Sequence, residues 1–355
     1  MQAFGVSCQG GLNTNLNQFQ MLEQPGFATE LENFEVDPDG GYRRINGYTQ
    51  FGDTNPNSSN AILGLFVYAD GVIACSGTNI YFSLDGESWL QINKASVAVG
   101  GDNYTAFTGR STAARTTQGQ ATFALFEGSS IYGEVVITDK GSGIKPALFK
   151  MTGTGALSGR TFFYEEITVS GVVYPKYCVV HDKHLVVAGA ATALNTIYYS
   201  GTSDINSFSS TGSGSIALDD QVVGIKSFRT DLIIFCKNSI YKLSNINDSD
   251  TIVVSPITKN VGCLDGHSIQ EIGGDLIFLS PDGFRLVAGT ERIGDVELGS
   301  VSRQIQSVVS KVAASIDTYT INSAVLRSKS QYRFFYSTAT GSTSTSKGVI
   351  GTITP

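Results

Sequence analysis

Short runs of alternating apolar and polar residues dominate the chain from about residue 60 onward, separated by turns rich in Gly, Asn, Asp and Ser. Alternation with a period of two is typical of half-buried β-strands. Several runs share one design, in which an apolar strand is followed by a polar connection and a second apolar strand. The six instances begin at Val72, Phe123, Leu185, Leu232, Leu276 and Tyr332. The pattern predicts six antiparallel hairpins.

The spacing of these hairpins indicates a repeat. Their second strands open at residues 80, 131, 197, 240, 284 and about 349, so the gaps are 51, 66, 43, 44 and 65 residues. A unit of about 40–50 residues made of short antiparallel strands is the signature of a propeller blade. We therefore predict an all-β fold, a β-propeller of about six blades, with five or seven blades as alternatives. The long insertions Gly141–Gly159 and Leu194–Gly214 exceed ordinary hairpin turns, which predicts that a partner orders them.

Two segments differ from the repeat. Residues 1–58 are turn-rich and poor in apolar runs, which predicts an extended arm before a propeller at residues 59–355. Within the arm, Tyr42–Phe51 reads as a strand that pairs with the last blade, at Tyr332–Ser337 and Val349–Thr352. Near residues 299–316, apolar residues recur with the period of an α-helix, and Ser300 suits the N-cap of one amphipathic helix.

The repeat also predicts which side chains are buried. We expect Leu232, Ile234, Leu276 and Phe278 in the core, with Asn238 and Ser239 in an exposed turn. The segment Ser83–Trp89 resembles an Asp-box turn with one residue missing, so Asp85 and a buried Trp89 are expected to be structural. The five cysteines have no metal-ligand spacing, and Cys75, Cys178 and Cys236 lie in apolar runs, as expected of buried thiols in a reducing compartment.

Composition limits the classes of function. Charged residues make up 15% of the chain, against about 25% in average proteins. Aromatic residues make up 10%, which argues against disorder. No apolar run reaches the length of a membrane-spanning segment, and the first residues lack the pattern of a secretory signal. A net charge of −7 argues against tight wrapping of nucleic acid, because phosphate binding needs a basic face.

The search for chemistry yields no catalytic, cofactor-binding or metal-binding residues, and we predict that the chain is not an enzyme. His181 and His184 flank a hairpin turn, where we expect them to be solvated. Glu165 and Glu166 are adjacent in a strand and face opposite sides, so they cannot act on one bond. The two remaining acidic pairs lack the pattern of a calcium loop and read as turns. They are Asp219 with Asp220 and Asp248 with Asp250.

Two stretches carry a resemblance to a known family. Gly10-Gly-Leu-Asn-Thr-Asn, followed by the segment from Pro25 to Tyr48 that contains Asn33-Phe-Glu-Val-Asp-Pro-Asp-Gly-Gly-Tyr-Arg-Arg44, is similar to the N-terminal signature of tail-tube, or nozzle, proteins of short-tailed bacteriophages. The segment from Val261 to Arg285 is similar to a blade of the same proteins. The resemblance spans most of the chain, and its motifs are structural.

The resemblance implies a virion structural protein, assembled in the host cytoplasm into the phage tail. It implies a ring of six copies that contacts an adaptor or other tail proteins and conducts DNA during ejection. An acidic chain agrees with this role, because like charge keeps the phosphate backbone from sticking to the wall. The alternative is a carbohydrate- or receptor-binding propeller, sialidase-like without catalysis. A catalytic sialidase is disfavoured because its Arg-x-Pro start is missing and Asp boxes do not recur.

Overall fold

A computed structural model describes residues 8–23, 26–37, 40–52, 54–57, 60–92, 103–106, 119–128, 131–141, 143–169, 173–288, 300–338 and 346–352. Its residues fall into two compact units. The terminal unit comprises Met1–Tyr48, Lys237–Ile240 and Pro256–Pro355, and the central unit comprises Thr49–Cys236 and Tyr241–Ser255. The division into an arm of residues 1–58 and a propeller of residues 59–355 stays a prediction.

The arm in the terminal unit forms two small sheets and a short helix. Its elements are β1 (Gly11–Leu12), α1 (Gln18–Glu23), β2 (Phe27–Ala28), β3 (Phe34–Val36) and β4 (Tyr42–Arg44). β1 pairs with β2 in parallel, and β3 pairs with β4 in antiparallel fashion. The predicted pairing of Tyr42–Phe51 with the last blade is therefore wrong. The Asp37 N–H donates to the Gly41 carbonyl at 2.9 Å, so a tight local turn forms the hairpin at a low entropic cost of loop closure.

Three sheets lie wholly in the central unit. Their strands are β5 (Ile62–Tyr68), β6 (Gly71–Ser76), β7 (Asn79–Ser83), β8 (Leu90–Gln91), β9 (Asn103–Ala106), β10 (Ala121–Phe126), β11 (Glu134–Asp139), β12 (Ala147–Thr152), β13 (Thr161–Glu166), β14 (Tyr177–His181), β15 (His184–Ala190), β16 (Ala193–Tyr199) and β17 (Gly214–Ala217). The sheet orders are β5-β6-β7-β8, β10-β11-β12-β13-β9 and β14-β15-β16-β17. All neighbours are antiparallel except β13 and β9.

Three further sheets complete the series. Their strands are β18 (Val222–Phe228), β19 (Asp231–Cys236), β20 (Ile240–Ser244), β21 (Val253–Thr258), β22 (Gln270–Ile272), β23 (Asp275–Ser280), β24 (Gly283–Leu286), β25 (Tyr319–Leu326), β26 (Gln331–Thr338) and β27 (Ser346–Thr352). Each sheet follows chain order, as β18-β19-β20-β21, β22-β23-β24 and β25-β26-β27. Six successive sheets of this kind are the blades of a β-propeller, which confirms the predicted all-β fold class.

The core positions follow the predicted alternation. Leu232, Ile234, Leu276 and Phe278 are all buried, as predicted. Cys75, Cys178 and Cys236 are buried too, so that prediction is confirmed. Asn238 is exposed as expected, but the prediction for Ser239 is wrong, because its side chain is buried.

Two predicted insertions contain strands of the sheets. β12 lies inside Gly141–Gly159 and pairs with both β11 and β13, while all of β16 except Ala193 lies inside Leu194–Gly214 and pairs with β15. Their apolar positions are therefore ordered within this chain, and the prediction that a partner must order these segments is wrong. In the second hairpin, Ile131 lies in an exposed turn, and the strand begins three residues later, at Glu134.

The predicted helix is shorter than its apolar pattern. The α-helix α2 (Gln306–Ala314) follows a 3-10 turn, Arg303–Ile305, and buries Val309 and Val312 as expected. Ser300 is not its N-cap, because the Ser300 hydroxyl instead faces the Ser302 hydroxyl at 2.8 Å. Gly283, with φ of +134°, lies so close to these two serines that a Cβ at this position would clash with both hydroxyls.

Candidate assembly site on the N-terminal arm

A buried carboxylate, Glu35 on β3, joins the arm to the last sheet of the terminal unit. Glu35 is only 3% exposed. Arg43 Nε donates to Glu35 Oε1 at 2.8 Å, and Lys329 Nζ donates to the same oxygen at 2.6 Å. Gln331 Nε2 donates to Oε2 at 3.0 Å, and a nitrogen of Arg333 lies 3.6 Å from that oxygen. Donors from β4 and from the β25–β26 region therefore converge on one carboxylate.

The electrostatics of this cluster favour the charged form of Glu35. Burial alone would raise the pKa of the carboxyl group, because desolvation penalises charge. The hydrogen bonds from Lys329, Gln331 and Arg43 outweigh burial and lower the pKa from 4.5 to about 2. The arm is thus held by an ion cluster that keeps its charge over the whole ordinary pH range.

Tyr42, the first residue of β4, fixes the strands that precede it. Its hydroxyl lies 2.6 Å from the Gly26 carbonyl oxygen and 3.2 Å from that of Gly11. Gly11 lies in β1, and Gly26 lies at the base of a finger, which we define as the described residues 13–23 and 26 between β1 and β2. Burial raises the pKa of the Tyr42 phenol, so the group remains a hydrogen-bond donor.

The finger displays two large apolar side chains. Phe19 is 82% exposed and Leu22 is 80% exposed. Both lie on α1, three residues apart, so they share one side of the helix. At the start of α1, Asn17 Oδ1 accepts the N–H groups of Phe19 and Gln20 at 3.0 and 2.9 Å. Gln20 Oε1 accepts the Asn17 N–H in return at 3.1 Å, so a reciprocal cap holds this helix.

The central unit carries an apolar groove of about 370 Å³ on its first sheet. Among the residues that the structure describes, its walls are uncharged and comprise Phe51, Thr54, Asn55, Pro56, Ile62, Leu65, Phe66, Val67, Val72 and Trp89. Leu65 and Val67 on β5 are 61% and 74% exposed. The Trp89 indole N–H lies 3.0 Å from the Thr54 carbonyl and 2.9 Å from that of Gly86, which fixes one wall of the groove.

The turn before Trp89 has the structural role predicted for it. The Gly86 N–H donates to Ser83 Oγ at 2.8 Å, and the N–H groups of Glu87 and Ser88 donate to Asp85 Oδ1 at 2.9 and 3.0 Å. These backbone donors lower the pKa of Asp85. The prediction that Trp89 is buried is wrong, because its side chain is half-buried and lines the groove.

The two histidines singled out from the sequence are buried, so the prediction that they are solvated is wrong. His181 and His184 close the β14–β15 hairpin as a facing pair. His184 Nδ1 lies 2.5 Å from the Ser200 carbonyl oxygen and its Nε2 lies 2.9 Å from Asn247 Oδ1. His181 Nδ1 lies 2.9 Å from Ser227 Oγ, and burial lowers the pKa of His181. The pair serves the packing of neighbouring sheets.

The acidic pairs lie in a strand and in turns, as the sequence predicts. Glu165 is buried on β13 and Glu166 is half-buried. Asp248 shapes a turn, since its carboxylate accepts the Asp250 N–H at 3.0 Å and the Thr251 hydroxyl at 2.8 Å. Asp220 Oδ1 accepts the Gln221 N–H at 2.8 Å before β18. Among the residues that the structure describes, no group of three His, Cys, Asp or Glu could hold a metal ion.

Glu35, Phe19 and Leu22 escaped the sequence analysis. Glu35 lies between Phe34 and Val36, where a simple alternation would bury the aromatic residue and expose the acid. The structure does the reverse, with Phe34 exposed and Glu35 buried. Within the described part of the chain, no helix is long and apolar enough to cross a membrane.

Comparisons with known proteins add only weak similarities. No protein-family model matches the chain, and no curated protein matches it. Among solved structures, the BBS1 N-terminal domain in complex with ARL6 is 13% identical, with a TM-score of 0.36, over 63% of this chain and 62% of that chain. The chain therefore spans less than two thirds of that structure.

Two other structures are matched over more of their length. A chain of a RAG complex is 9% identical, with a TM-score of 0.44, over 79% of this chain and 91% of that chain. The WD40 domain of SCAP from fission yeast is 8% identical, with a TM-score of 0.36, over 81% of this chain and 75% of that chain. Similarities this weak assign neither a family nor a function.

Proposed function

We propose that this chain is a structural protein of a short-tailed phage tail, and that its copies form a ring, the nozzle or tail tube, through which DNA passes during ejection. The observation that carries the proposal is the arm. The signature segment that resembles nozzle proteins supplies Glu35, Tyr42 and Arg43, which are the residues that fasten the arm and the base of the finger.

The charge balance supports the same role. A net charge of −7 repels a phosphate backbone, so DNA in transit would meet no strong electrostatic trap. The proposed partners are other copies of this chain, six in the ring by resemblance, together with an adaptor or other tail proteins and DNA that passes transiently. The proposed location is the phage tail, after assembly in the host cytoplasm.

Electron microscopy of tails that carry a labelled version of the chain tests this proposal. We expect the label in a ring on the tail axis, and we expect purified protein to form closed rings in negative stain. Isolated copies at the tail periphery would contradict the conduit and favour a receptor-binding role. A protein that binds oligosaccharides in a glycan array and never forms rings would favour the carbohydrate-binding alternative.

A further inference from the structure

The finger exposes the apolar side chains of Phe19 and Leu22, and hydrogen bonds fasten its base. At its base, the Asn13 N–H donates to the Ala28 carbonyl at 2.8 Å. The Thr14 N–H donates to the Gln304 carbonyl at 2.9 Å, and Asn15 Nδ2 donates to the Arg303 carbonyl at 2.5 Å. These bonds and the capped helix α1 fix a segment whose largest apolar side chains face solvent. Two neighbouring apolar side chains that are both more than three quarters exposed, on a fastened segment, form a candidate contact surface.

The groove on the first sheet is a complementary surface. Its volume of about 370 Å³ falls within the range of about 300–1,000 Å³ that is common for ligand sites. The described lining residues are mostly apolar and uncharged, which favours an apolar occupant, because burial of an unpaired charge is costly. Phe51, which lines the groove, lies so close to Gly86 that a Cβ at Gly86 would clash with it. The site suits the apolar side of a short helix.

We propose that the finger of one copy inserts Phe19 and Leu22 into the groove of a second copy. The inference rests on the proposed ring, and it names the contact between its members. Copies in a closed ring meet through two different patches, each repeated around one axis. This chain carries an apolar projection at Phe19 and Leu22 and an apolar recess on separate elements, which is the pair of surfaces that such a contact requires.

The extent of the contact predicts how it behaves. Two side chains in one groove form only part of a stable interface, which buries about 1,200–2,000 Å² in total. Self-association of purified protein should therefore depend on concentration. Removal of the Phe19 and Leu22 side chains should lower the association constant for self-association by at least about tenfold.

The decisive experiment combines two variants that each lose one surface. Phe19→Asp with Leu22→Asp removes the finger contact, and Val67→Asp removes the groove contact. All three positions are exposed, so folding should be preserved, which circular dichroism checks. Sedimentation velocity should show each variant alone as a monomer, whereas a mixture of the two should form pairs and no larger species. Ile131→Asp, at an equally exposed turn outside both surfaces, is the matched control and should assemble like the unmodified chain.

Trp89 provides a second readout, because it is the only tryptophan in the chain and lines the groove. Its emission should shift to shorter wavelength as the protein concentration rises, and the shift should vanish in the finger variant. If both variants assemble as the unmodified chain does, the proposed contact between finger and groove is refuted, but the proposed ring is not. If the two variants stay monomeric when mixed, the surfaces do not meet each other. If the unmodified chain never associates, the proposed ring fails with it.

Discussion

Replacement of Glu35 by Gln should destabilise the terminal unit strongly, although only a charge is removed. The change leaves Arg43, Lys329 and Arg333 around a neutral amide in a site where the carboxylate is only 3% exposed. A carboxyl group whose pKa drops from 4.5 to about 2 is stabilised in its charged form by about 3 kcal/mol. Loss of one partner of a buried ion pair independently costs about 3–5 kcal/mol. The pKa shift and the comparison with buried ion pairs both predict that the free energy of unfolding falls by about 3 kcal/mol.

Urea denaturation at neutral pH measures this loss, and limited proteolysis locates it. Trypsin should cleave the E35Q variant faster after Arg43 and Arg44, because the β3–β4 hairpin loses its anchor. Glu32→Gln removes the same charge from an exposed position of the same arm and should change the free energy of unfolding by less than about 0.5 kcal/mol. Equal stability and equal cleavage of the two variants would refute the role of the cluster.

The pH dependence of the E35Q effect gives a second check on the same reasoning. The folded pKa of Glu35 lies below its unfolded value, so its contribution is fully present above about pH 4.5. It is lost as the pH falls toward 2. The difference in stability between the unmodified chain and E35Q should therefore shrink between pH 4.5 and 2. A difference that stays constant over that interval would show that the carboxylate charge is not the cause.

Two substitutions test the central unit, and an alkylation experiment tests the thiols. Leu232→Ala should lower the free energy of unfolding by about 2–5 kcal/mol, because Leu232 is fully buried, and an unchanged melting temperature would contradict the core assignment. Asp70→Asn should cost about 2 kcal/mol in urea denaturation, between the values for exposed and buried pairs, because the buried Arg160 loses a two-point contact with a half-exposed carboxylate. Of the five cysteines, native protein should alkylate only at Cys8 in mass spectrometry, because the others are buried and burial raises the pKa of Cys178 to about 12.

Local alternation explains why the strands could be predicted. The side chain of every second residue in a strand faces the same way, so runs such as Leu232–Cys236 reveal both the strand and its buried positions. The repeat of those runs then indicates six blades. The pattern does not always locate the first residue of a strand. Ile131 is apolar and was assigned to a strand, but it lies in a turn.

Contacts between distant segments explain the failures. Burial of His181 depends on Ser227, which is 46 residues away, and nothing in the local sequence around either residue indicates their proximity. The prediction for Tyr42–Phe51 is wrong because the local sequence of a strand does not specify which strand it pairs with. The hydrogen bond between the Asp37 N–H and the Gly41 carbonyl favours the nearest strand, β3. Glu35 is the strongest case, since its donors Lys329 and Gln331 lie almost 300 residues further along the chain.

The arm also shows how a single buried ion cluster can position a surface that it does not touch. Glu35 fastens β3 and β4 to the last sheet, and β4 begins with Tyr42, whose hydroxyl holds the Gly26 carbonyl at the end of the finger. The other end is fixed separately, by Thr14 and Asn15 on the turn before α2. Because both ends of the finger are fastened, the exposure of Phe19 and Leu22 cannot be relieved by local collapse of the segment. The proposed contact with a second copy would require such fastening, because it keeps Phe19 and Leu22 exposed.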